Sequence, residues 1–495
     1  MTLSDISRRW LPIGFIALLS VASPSPAAAQ TTDDPAALQE RLEALQQQLQ
    51  ALRAAAPKSA TSDLEAALAA LEQRVDDLSA QIKIVARQAE LDREAAAERA
   101  KTAPQPAAGR GGFSLQSADG NFRLRVRGYM QTDSRFFLSD ADQRGVDTFV
   151  LRRVRPIFEA TMYSLFDVRM MPDFGNGTTV LQDAYIDARF SPRFKIRAGK
   201  FKPPIGFERL QSATDITFVE RALPTALVPN RDLGVMVHGD VIDGNVAYAA
   251  GVFNGVADGG SADLDIQDGK EAAGRIFAQP WRTRRDSIWQ GLGFGVAASY
   301  GNQRGVSAAS SGLPTFKTAG QTTFFGFRGD DPVLGPVLAD GAHTRWSLQG
   351  HYYFGSHGVF LEQVRSSQQV KRGPTSATLD DSSWQVATTW VVTGETPSYR
   401  GVTPRSPFDL KAGTLGAVEL TARYGQLQID RATFPYFANA ATSTRGAEAW
   451  TVGCNWILNS GVKVMANYEQ TRFDAAGSAQ RRREHDLLTR MQFSF

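Results

Sequence analysis

The sequence predicts an all-β protein: a transmembrane antiparallel β-barrel of about 16 strands, preceded by an N-terminal α-helical coiled coil. Three observations carry this prediction: a leader typical of exported proteins, a series of apolar heptads, and a long region where apolar and polar residues alternate. The composition agrees, since 44 glycines and an aromatic content of 10% suit strands joined by many turns. A net charge of only +3 gives no indication of a nucleic-acid partner.

Residues 1–29 have the pattern of a secretory signal peptide. Two arginines precede the apolar run Leu11–Val21, and small residues at Ala27 and Ala29 precede Gln30. This order predicts export and cleavage before Gln30. The alternative, a membrane anchor, needs about 20 apolar residues, and the run is shorter than that.

Residues 30–101 are predicted to form a periplasmic coiled coil. Apolar residues alternate at spacings of four and three: Leu38, Leu42, Leu45, Leu49 and Leu52, then beyond Pro57 Leu64, Leu68, Leu71, Val75, Leu78, Ile82 and Val85. Sustained heptads favour self-association over a monomeric amphipathic helix, because no other helical element is evident for packing; two and three strands both remain open. Residues 102–112, rich in Pro, Gly and Ala, are predicted to be a linker to the barrel domain, residues 113–495.

From residue 113 onward, segments of about ten residues alternate apolar with polar side chains, as expected of strands with two different faces. Arg123, Arg125 and Arg127 occupy every second position of one such segment. Arg153 and Arg155 share a face of the next, and Lys195 and Arg197 follow the same rule in a later one.

Two architectures produce this alternation: a soluble sandwich or solenoid with an apolar core, and an outer-membrane barrel with an apolar outside. The signal peptide, the strand pattern at the C-terminal Phe495, and the alternation of tight turns with long loops such as Gly301–Ala342 favour the barrel. At about 24 residues for each strand and its connection, about 383 residues allow roughly 16 strands, enough for an aqueous channel.

In a barrel the basic faces would line the lumen, where arginine and lysine favour anions. Acidic residues such as Asp133 and Glu159 share these faces, so mutual neutralisation is the alternative. The segment Lys200–Gly234 is irregular and carries five basic side chains, namely Lys200, Lys202, Arg209, Arg221 and Arg231. Long irregular loops in compact folds are usually functional, and we expect this one to fold inward and narrow the channel.

Several ordered blocks then resemble the phosphate-selective porin O/P family of outer-membrane proteins: RRVRPIFEATM, LQDAYIDARF, RAGKFKPPIGFERLQSATDITFVERALP, NRDLGVMV, WVVTGE, AVELTARYGQL and GCNWILNSGVKVMANYEQT. The resemblance implies a 16-stranded homotrimer whose third loop, here Lys200–Arg231, enters the channel. It also implies that Arg209 lies at the constriction and that Asp183, in the DAY motif, lines the same region.

The sequence departs from the phosphate-binding members in one respect. Those members carry alternating arginines in a later loop, whereas the comparable stretch here, Leu313–Arg328, has only Lys317 and Arg328. A broader anion preference therefore stands beside phosphate selectivity as an expectation.

We predict a passive porin of the Gram-negative outer membrane that prefers anions such as phosphate or polyphosphate. It is expected to contact outer-membrane lipid and to need no cofactor. With one cysteine and five scattered histidines, no metal site is predicted, and with no G-x-S-x-G elbow, no enzyme is predicted. The expected pore-lining and constriction residues are Arg123, Arg125, Arg127, Arg153, Arg155, Asp183, Lys195, Arg197, Lys200, Lys202, Arg209, Arg221 and Arg231.

Two alternatives remain. One is a general or carbohydrate and neutral-solute porin, with tryptophans along the lumen; Trp384, Trp390, Trp450 and Trp456 are available, although membrane-interface girdles use the same residue type. The other is an envelope-tethering barrel whose coiled coil is the working part and contacts peptidoglycan.

Overall fold

The computed structural model describes residues 35–55, 62–109, 111–138, 145–265, 267–284, 286–329, 331–477 and 481–495. The predicted signal peptide lies outside the described residues. The chain divides into two compact units, Met1–Thr102 and Ala103–Phe495.

The N-terminal unit contains two helices, α1 (Pro35–Ala55) and α2 (Ser62–Thr102), on either side of Pro57. The two helices contact each other, and Arg53 near the end of α1 forms an ion pair with Glu72 of α2. The heptad series therefore has a packing partner within the chain, contrary to the expectation that none existed. Self-association as a coiled coil stays a prediction. Neither helix in the described part of the chain combines the length and apolarity needed to cross a membrane.

The C-terminal unit is built from strands. Sixteen form a barrel: β3 (Phe122–Phe137), β4 (Thr148–Met162), β5 (Phe166–Asp173), β6 (Val180–Ser191), β7 (Phe194–Phe201), β8 (Asp232–Val241), β9 (Val246–Phe253), β10 (Glu271–Ala278), β11 (Leu292–Arg304), β14 (Leu338–Phe354), β15 (His357–Arg372), β16 (Thr375–Val391), β17 (Ala417–Gln428), β18 (Gly446–Ile457), β19 (Val462–Asp474) and β20 (Glu484–Ser494). Four more are β1 (Gln105–Gly109), β2 (Gly112–Gln116), β12 (Thr315–Lys317) and β13 (Thr323–Gly326).

Each barrel strand pairs antiparallel with its neighbour in chain order, and β20 closes the ring by pairing with β3, where Phe493 lies opposite Met130. Closure satisfies the backbone hydrogen bonds that an open edge would expose to lipid. The prediction of about 16 antiparallel strands is confirmed.

The predicted linker is wrong over part of its length, because Gln105–Gly109 forms strand β1, antiparallel to β2, which in turn pairs with the first half of β3. The composition suggested a linker because Pro106 and the small residues beside it are rare in strands. Strand β1 is an edge strand, where a proline need not donate to a neighbour.

The polarity of the barrel is inverted relative to a soluble domain. Apolar side chains such as Leu124, Phe158 and Ile186 are exposed, whereas Asp133 and Arg490 are almost completely buried inside. An exterior of this kind is stable only against lipid, and a polar interior is typical of outer-membrane barrels.

The tryptophans lie on the apolar exterior. Trp384, Trp390 and Trp450 are exposed on their strands, while their sequence neighbours Gln385 and Thr451 are buried inside. Ring contacts join them to other outward aromatic residues, for example Trp390 to His357 and Trp450 to Tyr468. These rings therefore form girdles and do not line the lumen.

Cys454, the only cysteine in the chain, is exposed on β18 beside the outward Trp456. We expect the reconstituted native protein to react with an apolar maleimide, and to resist a charged, membrane-impermeant thiol reagent because the bilayer covers Cys454. Mass spectrometry of the two labelled samples measures this. Rapid labelling by the charged reagent would place Cys454 on a water-exposed face and contradict the assignment.

At one end of the barrel, called the short-turn end, most strands are joined by short turns, at residues 163–165, 192–193, 242–245, 355–356 and 458–461, and two connections, 279–291 and 392–416, are longer. Longer segments leave the opposite end, and two of them, 202–231 and 305–337, enter the lumen. They meet in a buried apolar cluster in which Leu227 and Val228 pack with Phe316, Phe324 and Phe325. This cluster rests on wall residues of β15, β17, β18 and β19. The apolar filling occupies that side at the level of the cluster, whereas buried charged residues occur on both sides of the barrel, for example Arg155 on β4 and Arg423 on β17.

Candidate channel constriction

The segment 202–231 is held inside the barrel by wall residues far from it in sequence. Its one-turn helix α3 (Phe207–Leu210) begins where the backbone N–H groups of Phe207 and Glu208 donate to the carboxylate of Glu362 on β15, at 2.5 and 3.2 Å. The Tyr399 hydroxyl donates to the Phe207 carbonyl oxygen at 2.6 Å.

The middle of the segment crosses the lumen. The Thr217 carbonyl oxygen accepts from Asn455 of β18 at 2.8 Å, and the Val219 N–H donates to Asn467 of β19 at 2.7 Å. The Ala213 carbonyl oxygen accepts from Gln131 of β3 at 2.9 Å. A loop that starts at β7 is thus fixed to the opposite wall by its backbone, so its side chains are held in place.

Glu220 is the main ionic anchor of the segment. Its carboxylate accepts from Arg152 of β4 at 2.5 and 3.2 Å. Three other guanidinium groups, those of Arg135, Arg153 and Arg490, lie within 4 Å of the same carboxylate. One buried acid therefore holds four cations together, and the surroundings stay positive even after Asp133 pairs with Arg490 at 2.7 Å.

Between this segment and β3–β10 lies a cavity of about 580 Å³, called here the arginine cavity. Among the residues that the structure describes, nine arginines and one lysine line it against three aspartates. The basic residues are Arg152, Arg153, Arg155, Arg169, Arg197, Lys202, Arg209, Arg221, Arg231 and Arg275, and the acids are Asp173, Asp183 and Asp240.

Some of these cations are neutralised. Arg155 donates to Asp173 at 2.7 Å, and Arg231 donates to Asp183 at 3.1 Å. Arg197 donates to Asp187 at 2.6 Å, on the wall of the cavity. These pairs orient the guanidinium groups and reduce the local charge.

Three loop cations have no acidic side chain within 4 Å among the described residues. Lys202 donates to the carbonyl oxygen of Gln211 at 2.6 Å, and Arg221 donates to the same oxygen at 2.9 Å. Arg209 donates to the Thr225 carbonyl oxygen at 2.5 Å and to Asn230 at 3.3 Å. Neutral acceptors orient these side chains and leave the positive charges of Arg209 and Arg221 available to a passing ion.

The positive charges around the arginine cavity also affect a basic residue of the inward segment, Lys202. Burial, followed by the positive charges of Arg231 and Arg221, lowers the pKa of the Lys202 ammonium well below its usual range. Burial disfavours a charge of either sign, and only the second cause, the positive charges of Arg231 and Arg221, favours an anion in the cavity.

The structure brings eight of the thirteen predicted residues to the arginine cavity: Arg153, Arg155, Asp183, Arg197, Lys202, Arg209, Arg221 and Arg231. Lys200 instead pairs with Asp263, and Lys195 lies 3.8 Å from Asp240. Neither of these two lysines lines the arginine cavity.

Arg123, Arg125 and Arg127 lie on β3 toward the short-turn end. Arg125 and Arg127 share the carboxylate of Glu159, at 2.9 and 2.7 Å, with Arg169 as a third partner at 3.0 Å. These residues line two further cavities, of about 580 and 330 Å³, so they extend the basic lining beyond the arginine cavity.

The sequence prediction missed several cations, and Arg152 shows why. In the pairing of β3 with β4, Gln131 lies opposite Arg153 and Thr132 opposite Leu151, so Arg152 is skipped by a bulge. A bulge places two successive residues on one side, and strict alternation assigns Arg152 to lipid. The sequence did carry one signal: strict alternation turns one of two adjacent arginines, Arg152 and Arg153, toward lipid, and a charged side chain there costs free energy.

Another cavity, of about 310 Å³, adjoins the arginine cavity toward the end opposite the short-turn end. The two share Arg152, Arg153, Arg209 and Arg221, and the outer one adds Lys317 of β12. Lys317 is one of the two basic residues in the stretch compared above with the family's arginine series. Arg328, the other, donates to the Pro435 carbonyl oxygen.

Comparison with known proteins agrees with this architecture. The family described as phosphate-selective porins O and P matches residues 124–495. Porin O of Pseudomonas aeruginosa is 22% identical over 424 residues, which cover 78% of this chain and 91% of that protein.

Similar solved structures include OmpT of Vibrio cholerae, expressed in the outer membrane, with 12% identity and a TM-score of 0.48 over 76% of this chain and 98% of that one. The channel DcaP of Acinetobacter baumannii has 10% identity and a TM-score of 0.48, over 78% and 100%. An anion-selective porin from Comamonas acidovorans has 10% identity and a TM-score of 0.44, over 76% and 100%.

The match over residues 124–495 spans nearly the whole barrel and includes every strand from β4 to β20. The chain therefore belongs to the family of phosphate-selective porins O and P, and it is a porin of the Gram-negative outer membrane.

Proposed function

We propose that this porin is a passive diffusion channel that prefers small anions, with phosphate or polyphosphate among its substrates. The observation that carries the proposal is the arginine cavity, in which cations outnumber acids and Lys202, Arg209 and Arg221 have only neutral acceptors. Its relatives include Porin O, and the selectivity in the family's description is consistent with the same lining.

The physical mechanism requires no cofactor and no bond breaking. Positive side chains raise the local concentration of anions and repel cations. Guanidinium groups can bind phosphate oxygens through two parallel hydrogen bonds. The cations are spaced from the cavity that includes Lys317 to the short-turn end. An ion therefore meets several weak sites along its path, which conduction requires.

The proposal includes the surroundings of the channel. The exposed apolar exterior would contact outer-membrane lipid, and the short-turn end would face the periplasm, as short turns do in this class of barrel. We also propose a homotrimer. The helical unit would lie in the periplasm and self-associate or contact peptidoglycan there.

The test is the reversal potential of the purified protein in a planar bilayer under a KCl gradient, followed by phosphate titration of the chloride current. We expect an anion-signed potential. Current block at low phosphate concentration would assign phosphate as the preferred ion, whereas indifference to phosphate would assign a general anion porin. A cation-signed potential would contradict the proposal, because the acids of the lumen would then dominate.

A further inference from the structure

A second large cavity, called here the aromatic cavity, lies at the short-turn end and differs chemically from the arginine cavity. Its volume is about 1050 Å³. Arg275 of β10 lines both cavities, so an ion that leaves one meets the other. An inorganic-anion channel needs only positive charge here, yet aromatic residues are well represented in this wall beside Arg275, Arg282 and Arg400.

The lumen-side rings pack against one another, some stacked and some tilted. Phe207 of α3 stacks on Tyr399 with ring centres 4.8 Å apart and an angle of 18°, and on His351 at 5.7 Å and 13°. Tyr353 follows His351 at 4.8 Å, and Phe277 lies 5.1 Å from Phe207. Phe207, Phe277 and His351 are buried against these neighbours, whereas Tyr353 and Tyr399 keep part of their ring surface exposed at the cavity.

A guanidinium group, that of Arg275, lies over one of these rings. The Arg275 Cζ atom lies 4.6 Å from the centre of the Phe277 ring, and its Nε donates to Gln349 at 2.8 Å. Within the described part of the chain, no acidic side chain lies within 4 Å of Arg275, and its two Nη atoms donate to no protein group. The two Nη atoms can therefore donate together to a ligand in the cavity, because no acceptor on the described wall uses them.

Ring faces and a free guanidinium fork together select a class of ligand. An inorganic anion gains nothing from ring faces, since their quadrupole is negative. An aromatic carboxylate uses both features, because its ring can stack while its carboxylate accepts two hydrogen bonds from one guanidinium. We propose that the aromatic cavity binds aromatic carboxylates, with Arg275 as the carboxylate partner. This inference rests on the proposed anion preference and extends it to an organic class.

The test compares benzoate with cyclohexanecarboxylate, which has the same charge and a similar size but no flat ring. Each is added to the short-turn side of the full-length porin in a planar bilayer, and block of the chloride current is measured. We expect the half-blocking concentration of benzoate to be at least tenfold lower.

Two variants separate the roles of charge and ring. Arg275→Gln is expected to raise the half-blocking concentration of benzoate about tenfold. Tyr353→Leu keeps the charge and is expected to reduce the preference for benzoate over cyclohexanecarboxylate, and Tyr399→Leu serves the same purpose if the first does not fold. Arg472→Gln, at an exposed position on β19, is the matched control and should leave the block unchanged.

Equal block by the two acids, with an anion-signed reversal potential, would show that the rings only pack the loop, and would overturn this inference while the proposed function stands. A cation-signed potential would overturn the proposed function itself. Block that persists unchanged in Arg275→Gln would contradict the assignment of the carboxylate partner.

Discussion

Replacing Arg209 and Arg221 together by glutamine is expected to lower the anion-to-cation permeability ratio about tenfold or more. Both guanidinium groups line the arginine cavity and neither has an acid within 4 Å in the described part of the chain, so both charges act on a passing ion. A unit charge about 8 Å away contributes about 2 kcal/mol at an effective dielectric constant of about 20. Screening by salt reduces this value, and 1.4 kcal/mol already corresponds to about tenfold.

The reversal potential under a KCl gradient measures the effect. Glutamine can still donate to the carbonyl oxygens that hold these side chains, so the loop keeps part of its hydrogen bonding. Arg472→Gln removes an exposed arginine, 57% accessible, that lies 3.8 Å from Glu448 and outside the described cavities. If the double variant folds and conducts with an unchanged ratio, the loop cations do not set selectivity.

Glu220→Gln is expected to release the inward segment and to raise both the open-channel conductance and its noise several-fold. Four arginines lie within 4 Å of the Glu220 carboxylate, and removal of the acid leaves them buried and mutually repelling. Loss of one partner from a buried ionic group costs about 3–5 kcal/mol. The backbone hydrogen bonds between the segment and the barrel wall remain in this variant, and the repulsion among the arginines acts against them.

Single-channel recording measures the change. Glu220→Asp retains the charge and is expected to restore quiet openings in part. Glu448→Gln is the matched control, because Glu448 pairs with one exposed arginine at 3.8 Å and should leave the conductance unchanged. Native conductance and noise in a folded Glu220→Gln channel would show that the backbone contacts alone hold the segment.

Period-two alternation determined the barrel from sequence, because lipid outside and charge inside leave a pattern that each strand repeats. Arg153, Arg155 and Arg197 were assigned to the interior on this basis, and they line the arginine cavity. The residues between β7 and β8 stood out because their prolines and clustered cations fit no strand.

Other features left no local pattern. The inward position of Arg152 depends on a bulge, and a bulge is set by the register between two strands. The importance of Glu220 depends on arginines from three strands that are close only when the barrel is closed. Strand β1 likewise exists because β2 supplies its hydrogen bonds.

The sequence by itself thus determined the class of fold, the inverted polarity of the wall and the segment that enters the lumen, since each depends on residues within about ten positions of one another. Only the tertiary structure decided which cations are neutralised. Arg231 meets Asp183 across 48 positions, whereas Lys202 and Arg221 donate to carbonyl oxygens of their own loop. The charge left for an ion depends on these distances, because Coulomb energy falls with separation and with solvent access, and neither quantity can be read from residue types.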